Sequence, residues 1–316
     1  LEGKKVAEFT IRPYQVRDFE PVVSLWNRCL KRDPISKESF QVKVLADENF
    51  SEQGAFVAEV DGKVVGFLLA IFRKVPLTGV GLQEDTGWIT IFFVDPEYRR
   101  RKIGTALFDS AENYLKANGR RKVVVSSYVP NYFIPGVDVD AYPEAHEFLQ
   151  KRGYETVFDQ YGMSVDLLDF EPISEYYTIL ENLLKDGVIV DYFEPKFTHK
   201  LLTFLETEFP GDWADVIRGR IRKGVDPRDI VIAKRGDEVV GYCQVDGERF
   251  GPFGVHSSLR GKGVGTALIT KAMLQAKSKG TRHLWLAWTG AVDFYSQKAG
   301  FKVIRTNRIM RKQLEG

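Results

Sequence analysis

One stretch of this chain occurs twice with its spacing intact. Val94, Arg99, Gly104, Thr105, Ala106 and Leu107 line up with Val255, Arg260, Gly265, Thr266, Ala267 and Leu268. The match runs on without a gap through Ala111 and Ala272, Lys116 and Lys277, and Gly119 and Gly280. Repeats separated by half a chain indicate duplicated domains, whereas solenoid units recur every few tens of residues. The 316 residues leave room for two cores of about 150 residues each.

Each copy reads in the same order. In the first, residues 8–12 have strand character and 16–28 form an amphipathic helix. Residues 56–60 and 64–72 make a hairpin about Asp61 and Gly62, a strong turn pair. A β-rich run over 87–94 leads through a basic loop to a helix over 104–116, a strand over 122–127 and a helix over 142–152. In the second, 187–191 opens the pattern, and 230–234 and 238–245 form the hairpin about Gly236 and Asp237. Residues 250–255 then lead through the second loop to a helix over 265–279, a strand over 283–288 and a helix over 291–298. Between the copies, 174–185 reads as a linking helix with Ser174 as N-cap and Gly187 past its end.

Hairpins followed by a strand–loop–helix–strand crossover give a mixed, mostly antiparallel sheet flanked by helices. The expected fold class is therefore α/β, with two tandem domains. Their expected bounds are 7–168 and 187–314, joined by a linking helix over 169–186.

The second loop has the more distinctive chemistry. Gly261, Gly263 and Gly265 remove side chains that would keep the backbone off a ligand and permit unusual dihedrals. Successive N–H groups can then face one concavity at the positive end of the next helix. Arg260 and Lys262 add full charges, and the sum is an anion site of diphosphate size. A Walker A loop would carry Lys-Ser or Lys-Thr after its last glycine, but Thr266 and Ala267 follow Gly265. A dinucleotide fingerprint follows the first strand of a βαβ unit, whereas this loop follows a fourth strand after a hairpin.

These residues resemble the GNAT superfamily of N-acetyltransferases. Its Arg/Gln-x-x-Gly-x-Gly/Ala motif is met by Arg260, Gly263 and Gly265, with Ala291, Phe294, Tyr295, Gly300 and Phe301 downstream. The resemblance covers nearly the whole chain, once per copy, in a tandem, mycothiol-synthase-like arrangement. It implies that the strand before the loop splays from its neighbour after a bulge. The pantetheine arm of acetyl-CoA, the co-substrate, would then bond to Phe253 and Val255. The implied cofactor-binding set is Phe253, Gly254, Val255, Arg260, Gly261, Lys262, Gly263, Val264, Gly265 and Thr266. The corresponding first-copy set is Val94, Arg99, Arg100, Arg101, Lys102, Ile103, Gly104 and Thr105. The resemblance further gives the Val255 N–H to the oxyanion and makes Tyr295 the general acid. Counting back from Gly300 would put Ser296 there instead. Glu248, or Asp246, is the candidate base.

The first copy departs from the motif at Lys102, in place of the central glycine, and at Leu149, in place of the tyrosine. It is expected to be catalytically silent, and the residues leave open whether its loop holds coenzyme A. Its aromatic and proline-rich insertion over 128–139 would line an acceptor site or cover an interface.

The implied function is transfer of an acetyl group from acetyl-CoA to a primary amine of a small molecule, in the second copy. The alternatives are a non-catalytic acyl-CoA sensor or partner-binding module, and a protein-lysine acetyltransferase. A formal net charge of +2 argues against a nucleic-acid or membrane-surface partner. No apolar run reaches the length of a membrane span. No basic-then-apolar leader is seen, and Cys29 and Cys243 stand apart in different halves, so the cytoplasm is expected. His146, His199, His256 and His283 lack metal-ligand spacing, so no metal is expected. The expected assembly is a monomer or homodimer.

Overall fold

In the computed structural model, which describes residues 8–131 and 134–314, the alternating apolar runs pair as strands. The chain divides into two units. Unit 1 comprises the chain up to Pro76, Gly81–Gln160 and the end from Asn307; unit 2 comprises Leu77–Val80 and Tyr161–Thr306. Residue 7, where the first domain was expected to begin, lies outside the described residues, as do Tyr132 and Phe133 of the 128–139 insertion.

In unit 1, β1 (Thr10–Pro13) precedes α1 (Phe19–Cys29) and the single turn α2 (Lys37–Phe40). Then come β2 (Ala55–Val60), β3 (Lys63–Ile71), β4 (Thr86–Val94) and α3 (Ile103–Ala117). The unit continues with β5 (Lys122–Val125), β6 (Val137–Asp138), α4 (Pro143–Lys151) and the first half of β7 (Glu155–Asp166). Strands β1 to β4 pair antiparallel in chain order, and β5 joins β4 in parallel. Helix α1 turns Val22, Val23, Leu25, Trp26 and Cys29 onto one face of this sheet. Helix α3 covers the other face with Ile103, Leu107, Phe108, Ala111 and Leu115.

Unit 2 repeats the plan. It runs through α5 (Tyr176–Lys185), β8 (Val188–Tyr192), α6 (Thr198–Glu208), α7 (Trp213–Arg222), β9 (Ile230–Arg235) and β10 (Glu238–Asp246). Then follow β11 (Arg249–Val255), α8 (Val264–Ser278), β12 (His283–Thr289), α9 (Val292–Ala299) and the first part of β13 (Lys302–Gln313). Strands β8 to β11 pair antiparallel in order, and β12 meets β11 in parallel. Helices α5, α8 and α9 share one core with Phe250, Val255 and Phe301; α6 and α7 build another around Phe204, Ile217 and Tyr242.

Two strands depart from a linear division at 168 and 186. Within β7, Met163–Asp166 pair with Leu286–His283 of β12, inside unit 2. Within β13, Met310–Gln313 pair with Val125–Lys122 of β5, inside unit 1. Each long strand therefore supplies an outer strand to a unit other than the one it leaves. The expected linking helix is α5, which buries Leu183 in the unit 2 core. Ser174 makes no N-cap bond; Glu175 stands at that place.

Candidate active site

Strand β11 carries an extra residue. Cys243 pairs with Phe253 and Val245 with Phe250, so Gly251 and Pro252 together oppose Gln244, a β-bulge. Gln244 braces it: Nε2 donates to the Gly251 carbonyl at 3.2 Å, and Arg220 Nη1 donates to Oε1 at 2.8 Å. Among the described residues, pairing of β11 with β12 is confined to Arg249 and Trp285, where the Trp285 N–H donates to the Glu248 carbonyl at 2.9 Å. Past that point the strands part. The His256 N–H donates to the Val240 carbonyl at 2.9 Å, and an antiparallel ladder alternates its bonded pairs. The N–H groups of Phe253 and Val255 therefore face the gap.

The loop after β11 is built from left-handed residues. Gly261 (φ +77°) and Gly263 (φ +87°) turn the chain, and Gly263 caps α8. The first intrahelical bond runs from the Ala267 N–H to the Gly263 carbonyl, 3.0 Å. The N–H groups of Val264, Gly265 and Thr266 are thus without helical acceptors, as at any helix start, and carry the positive end of the helix dipole. Arg260 and Lys262 are exposed at this mouth, and Arg260 Nε reaches the Val255 carbonyl at 3.4 Å. Gly263 has a second reason to be glycine: an added Cβ would stand 2.7 Å from Cγ2 of Ile179 on α5.

Tyr295 lies on α9 with 7% of its surface exposed, among Phe250, Phe253, Phe294 and Phe301. Burial pushes its phenol well above the usual value, and the nearby Cys243 adds to the shift. Among the described residues its hydroxyl has no hydrogen-bond partner. Ser296 is exposed on the helix's outer side. The longer spacing to Gly300 is absorbed at the helix end: the Phe301 N–H reaches back to the Tyr295 carbonyl, whereas in unit 1 the Tyr154 N–H reaches Leu149.

Glu248 and Asp246 are not brought to this gap. Both lie exposed, Asp246 at the end of β10 and Glu248 in the turn before β11, and Asp246 faces Arg220 at 3.5 Å. The pairing at Arg249 closes the strands in front of Glu248. Seven residues of strand separate it from Val255, about 20 Å at strand rise. His256 is nearer but already engaged: Nδ1 accepts from the Ser258 N–H at 3.2 Å, and Nε2 faces Glu208 at 3.4 Å.

Unit 1 reproduces this geometry. Leu69 pairs with Ile91 and Ala70 with Ile89, so Thr90 is the extra residue of the bulge. The β4–β5 pairing stops at Ile89 and Val125, and Arg99 Nε reaches the Val94 carbonyl at 3.2 Å. Arg100 (φ +63°) and Lys102 (φ +66°) take the left-handed positions of Gly261 and Gly263. The loop backbone thus keeps its form in spite of the side chains, and Lys102 does not straighten it. The apolar Leu149, in place of a tyrosine, is fully buried.

A bulged, splayed strand feeding a left-handed loop and a helix, present twice, is the arrangement shared with a known family. The Acetyltransferase (GNAT) family matches residues 19–154 and again 197–301. This chain belongs to the GNAT family. An uncharacterized N-acetyltransferase of Methanocaldococcus jannaschii is 36% identical over 104 residues, which is 33% of this chain and 40% of that protein. The chain thus spans well under two thirds of that relative. Among solved structures, a GCN5-related glucosamine N-acetyltransferase region in a fungal multi-domain GH3 beta-N-acetylglucosaminidase has a TM-score of 0.81 at 22% identity, covering 98% of this chain and 38% of that one. A GCN5-related N-acetyltransferase from Sphaerobacter thermophilus has a TM-score of 0.72 at 20% identity, covering 98% and 96%. A tandem GNAT protein from the clavulanic acid biosynthesis pathway has 0.62 at 17%, covering 98% and 99%. At these identities the likeness is one of fold.

In this GNAT chain, the positions singled out from the motif fall into two groups. Phe253, Gly254, Val255, the loop from Arg260 to Thr266 and Tyr295 gather about one gap; Glu248 and Asp246 stand outside it. Sequence reading passed over Gln244, which fills the bulge, and Ile179, which explains Gly263 by packing. It also passed over Phe209, whose ring a Cβ on Gly254 would strike. None of the three lies in a motif. Among the described residues no group of three His, Cys, Asp or Glu side chains is placed to hold a metal, and no helix is long and apolar enough to cross a membrane.

Proposed function

We propose that unit 2 transfers an acetyl group from acetyl-CoA to the primary amine of a small molecule. The observation that carries this reading is the pair of N–H sets, at Val264, Gly265 and Thr266 of the helix start and at Phe253 and Val255 of the parting strand. The first set, with Arg260 and Lys262, fits a pyrophosphate, since glycine at 261 and 263 leaves the backbone bare. The second set can hold an extended pantetheine arm as an added strand would be held. When bound, acetyl-CoA supplies the activated acyl group.

The residues divide the chemistry between them. The Val255 N–H faces the position where negative charge collects on the carbonyl oxygen as the amine nitrogen attacks. The C–N bond forms, the C–S bond breaks, the sulfur leaves with the electron pair, and the proton shed by the attacking nitrogen passes to solvent water, from which the phenol regains the one it gives. Tyr295 holds its proton across the neutral range because burial raises its pKa, and it is the group in the cluster able to give one to the thiolate. Unit 1 has the loop geometry but offers Leu149 where unit 2 offers Tyr295, and is read as silent in transfer.

The test is calorimetry with acetyl-CoA, followed by release of free thiol in the presence of primary amines. Glucosamine, the amine named for the fungal neighbour, is a suitable first acceptor. Loss of binding on Arg260→Ala together with Gly265→Val, and thiol release that needs an amine, are the expected results. No binding of acetyl-CoA would overturn the proposal. Binding without any transfer would assign the chain a sensing role.

A further inference from the structure

The face of β11 opposite α8 is not bare. Gly254 lies between Phe253 and Val255, the two residues whose N–H groups face the gap, and its own face carries the ring of Phe209. Phe209 stacks on Trp213 with centroids 4.5 Å apart and planes 18° from parallel. The two rings cover each other's inner faces and both are half-buried, so what the pair offers a ligand is an outer ring face. Its neighbours are acidic. Glu208 directly precedes Phe209 and is held by the His256 ring at 3.4 Å, not by a lysine or arginine. Glu206 and Asp215, by contrast, are both neutralised by Arg218, at 2.7 and 2.5 Å. The segment Leu77–Val80 packs near the same helices: Thr78 Oγ1 donates to Asp215 Oδ2 at 3.2 Å, and an added Cβ on Gly79 would lie 2.8 Å from Cβ of Pro210.

We infer that the acceptor is a primary amine borne on a ring, which stacks on the outer face of the Phe209–Trp213 pair while Glu208 receives its ammonium. This rests on the proposed reaction in unit 2 and names its substrate class. A flat aromatic pair rewards a molecule with a flat or C–H-rich face, and its π surface attracts a cation beside it. The carboxylate of the adjacent Glu208, paired with a histidine ring and not with a lysine or arginine, adds charge complementarity. An aryl-alkyl amine and an amino sugar share this chemistry. Gly254 is glycine because Phe209 must approach the β11 backbone, which places the platform next to the reacting gap and not at a remote surface.

The experiment compares 2-phenylethylamine and glucosamine with open-chain butylamine and ethanolamine, each carrying one ammonium. The expected result is a kcat/KM about ten-fold higher for at least one ring amine than for either open-chain amine. Trp213→Ala should bring that ratio within about three-fold, and Trp213→Phe should restore most of it; a merely structural role would lower all four amines together. The two ring amines tell an aryl acceptor from a sugar. Calorimetry of the same amines on protein saturated with coenzyme A, which cannot donate an acyl group, separates the two readings. Ring-selective binding without transfer would sink the proposed reaction and keep the platform. Transfer or binding that shows no preference for rings, or a preference untouched by Trp213→Ala, would overturn the inference.

Discussion

Lys102 and Gly263 cap their helices from the same left-handed corner of backbone space, at φ +66° and +87°. A side chain in that region costs about 1–2 kcal/mol. Lys102→Gly is therefore expected to stabilise unit 1 by about 1 kcal/mol, read as a higher urea midpoint. Gly263→Ala meets both the dihedral and Ile179, so it should destabilise unit 2 by about 2–3 kcal/mol and weaken acetyl-CoA binding measured by calorimetry.

Tyr295→Phe keeps the ring that packs on Phe250, Phe294 and Phe301 and removes only the hydroxyl. The expected outcome is a fall in kcat of about a hundred-fold with KM for acetyl-CoA within about two-fold. Unchanged turnover would take Tyr295 out of the proton transfer. Because burial raises the phenol's pKa, no alkaline limb from this group is expected in the kcat profile below about pH 10.

Glu248→Gln should leave kcat/KM within about two-fold, since the side chain sits exposed on the closed side of the strand pair. A loss of a hundred-fold would show that the hairpin turn reaches the reacting atoms. His256→Ala should cost about 1 kcal/mol of stability through the lost cap on the Ser258 N–H. Its counterpart Asp95 makes the same kind of bond to the Glu97 N–H, at 3.2 Å.

High pH should destabilise the fold. Burial raises the phenols of Tyr14 (to about 12), Tyr128, Tyr154, Tyr242 and Tyr295. Unfolded tyrosines ionise near pH 10, so above that pH the folded chain holds more protons than the unfolded one. Their contribution is fully present below about pH 10 and is lost as pH rises toward the folded values. Urea midpoints at pH 8 and pH 11 check this. Tyr242→Phe should shrink the difference at small cost, since the Tyr242 hydroxyl is buried without a partner among the described residues.

Much of the site was legible because its parts are local. The hairpin turns at Asp61 and Gly236, the loop at Arg260 and the helix after it are each set by neighbouring residues. Their positions agree with the structure within a few residues. What escaped was set by packing at long range. Helices α6 and α7 carry no motif, and the role of Phe209 depends on meeting Gly254, far along the chain. Gly263 is legible as a turn residue, but its contact with Ile179 belongs to an element that looked like a mere link. The placement of Glu248 failed to be readable for another reason. Closeness in sequence to β11 says nothing about which side of the parting strands a residue occupies.

The exchanged strands make the two halves a split protein joined by its own linker. A fragment ending at residue 168 would carry the Tyr161–Asp166 stretch that β12 needs, and lack the one that completes β5. The remaining fragment would have the converse surplus and deficit. Each alone would present a raw sheet edge, the usual template for aggregation, while the mixed pair contains every strand needed for mutual complementation. Duplication here has produced two copies that share one inheritance of hydrogen bonds and so must be made, kept and lost together.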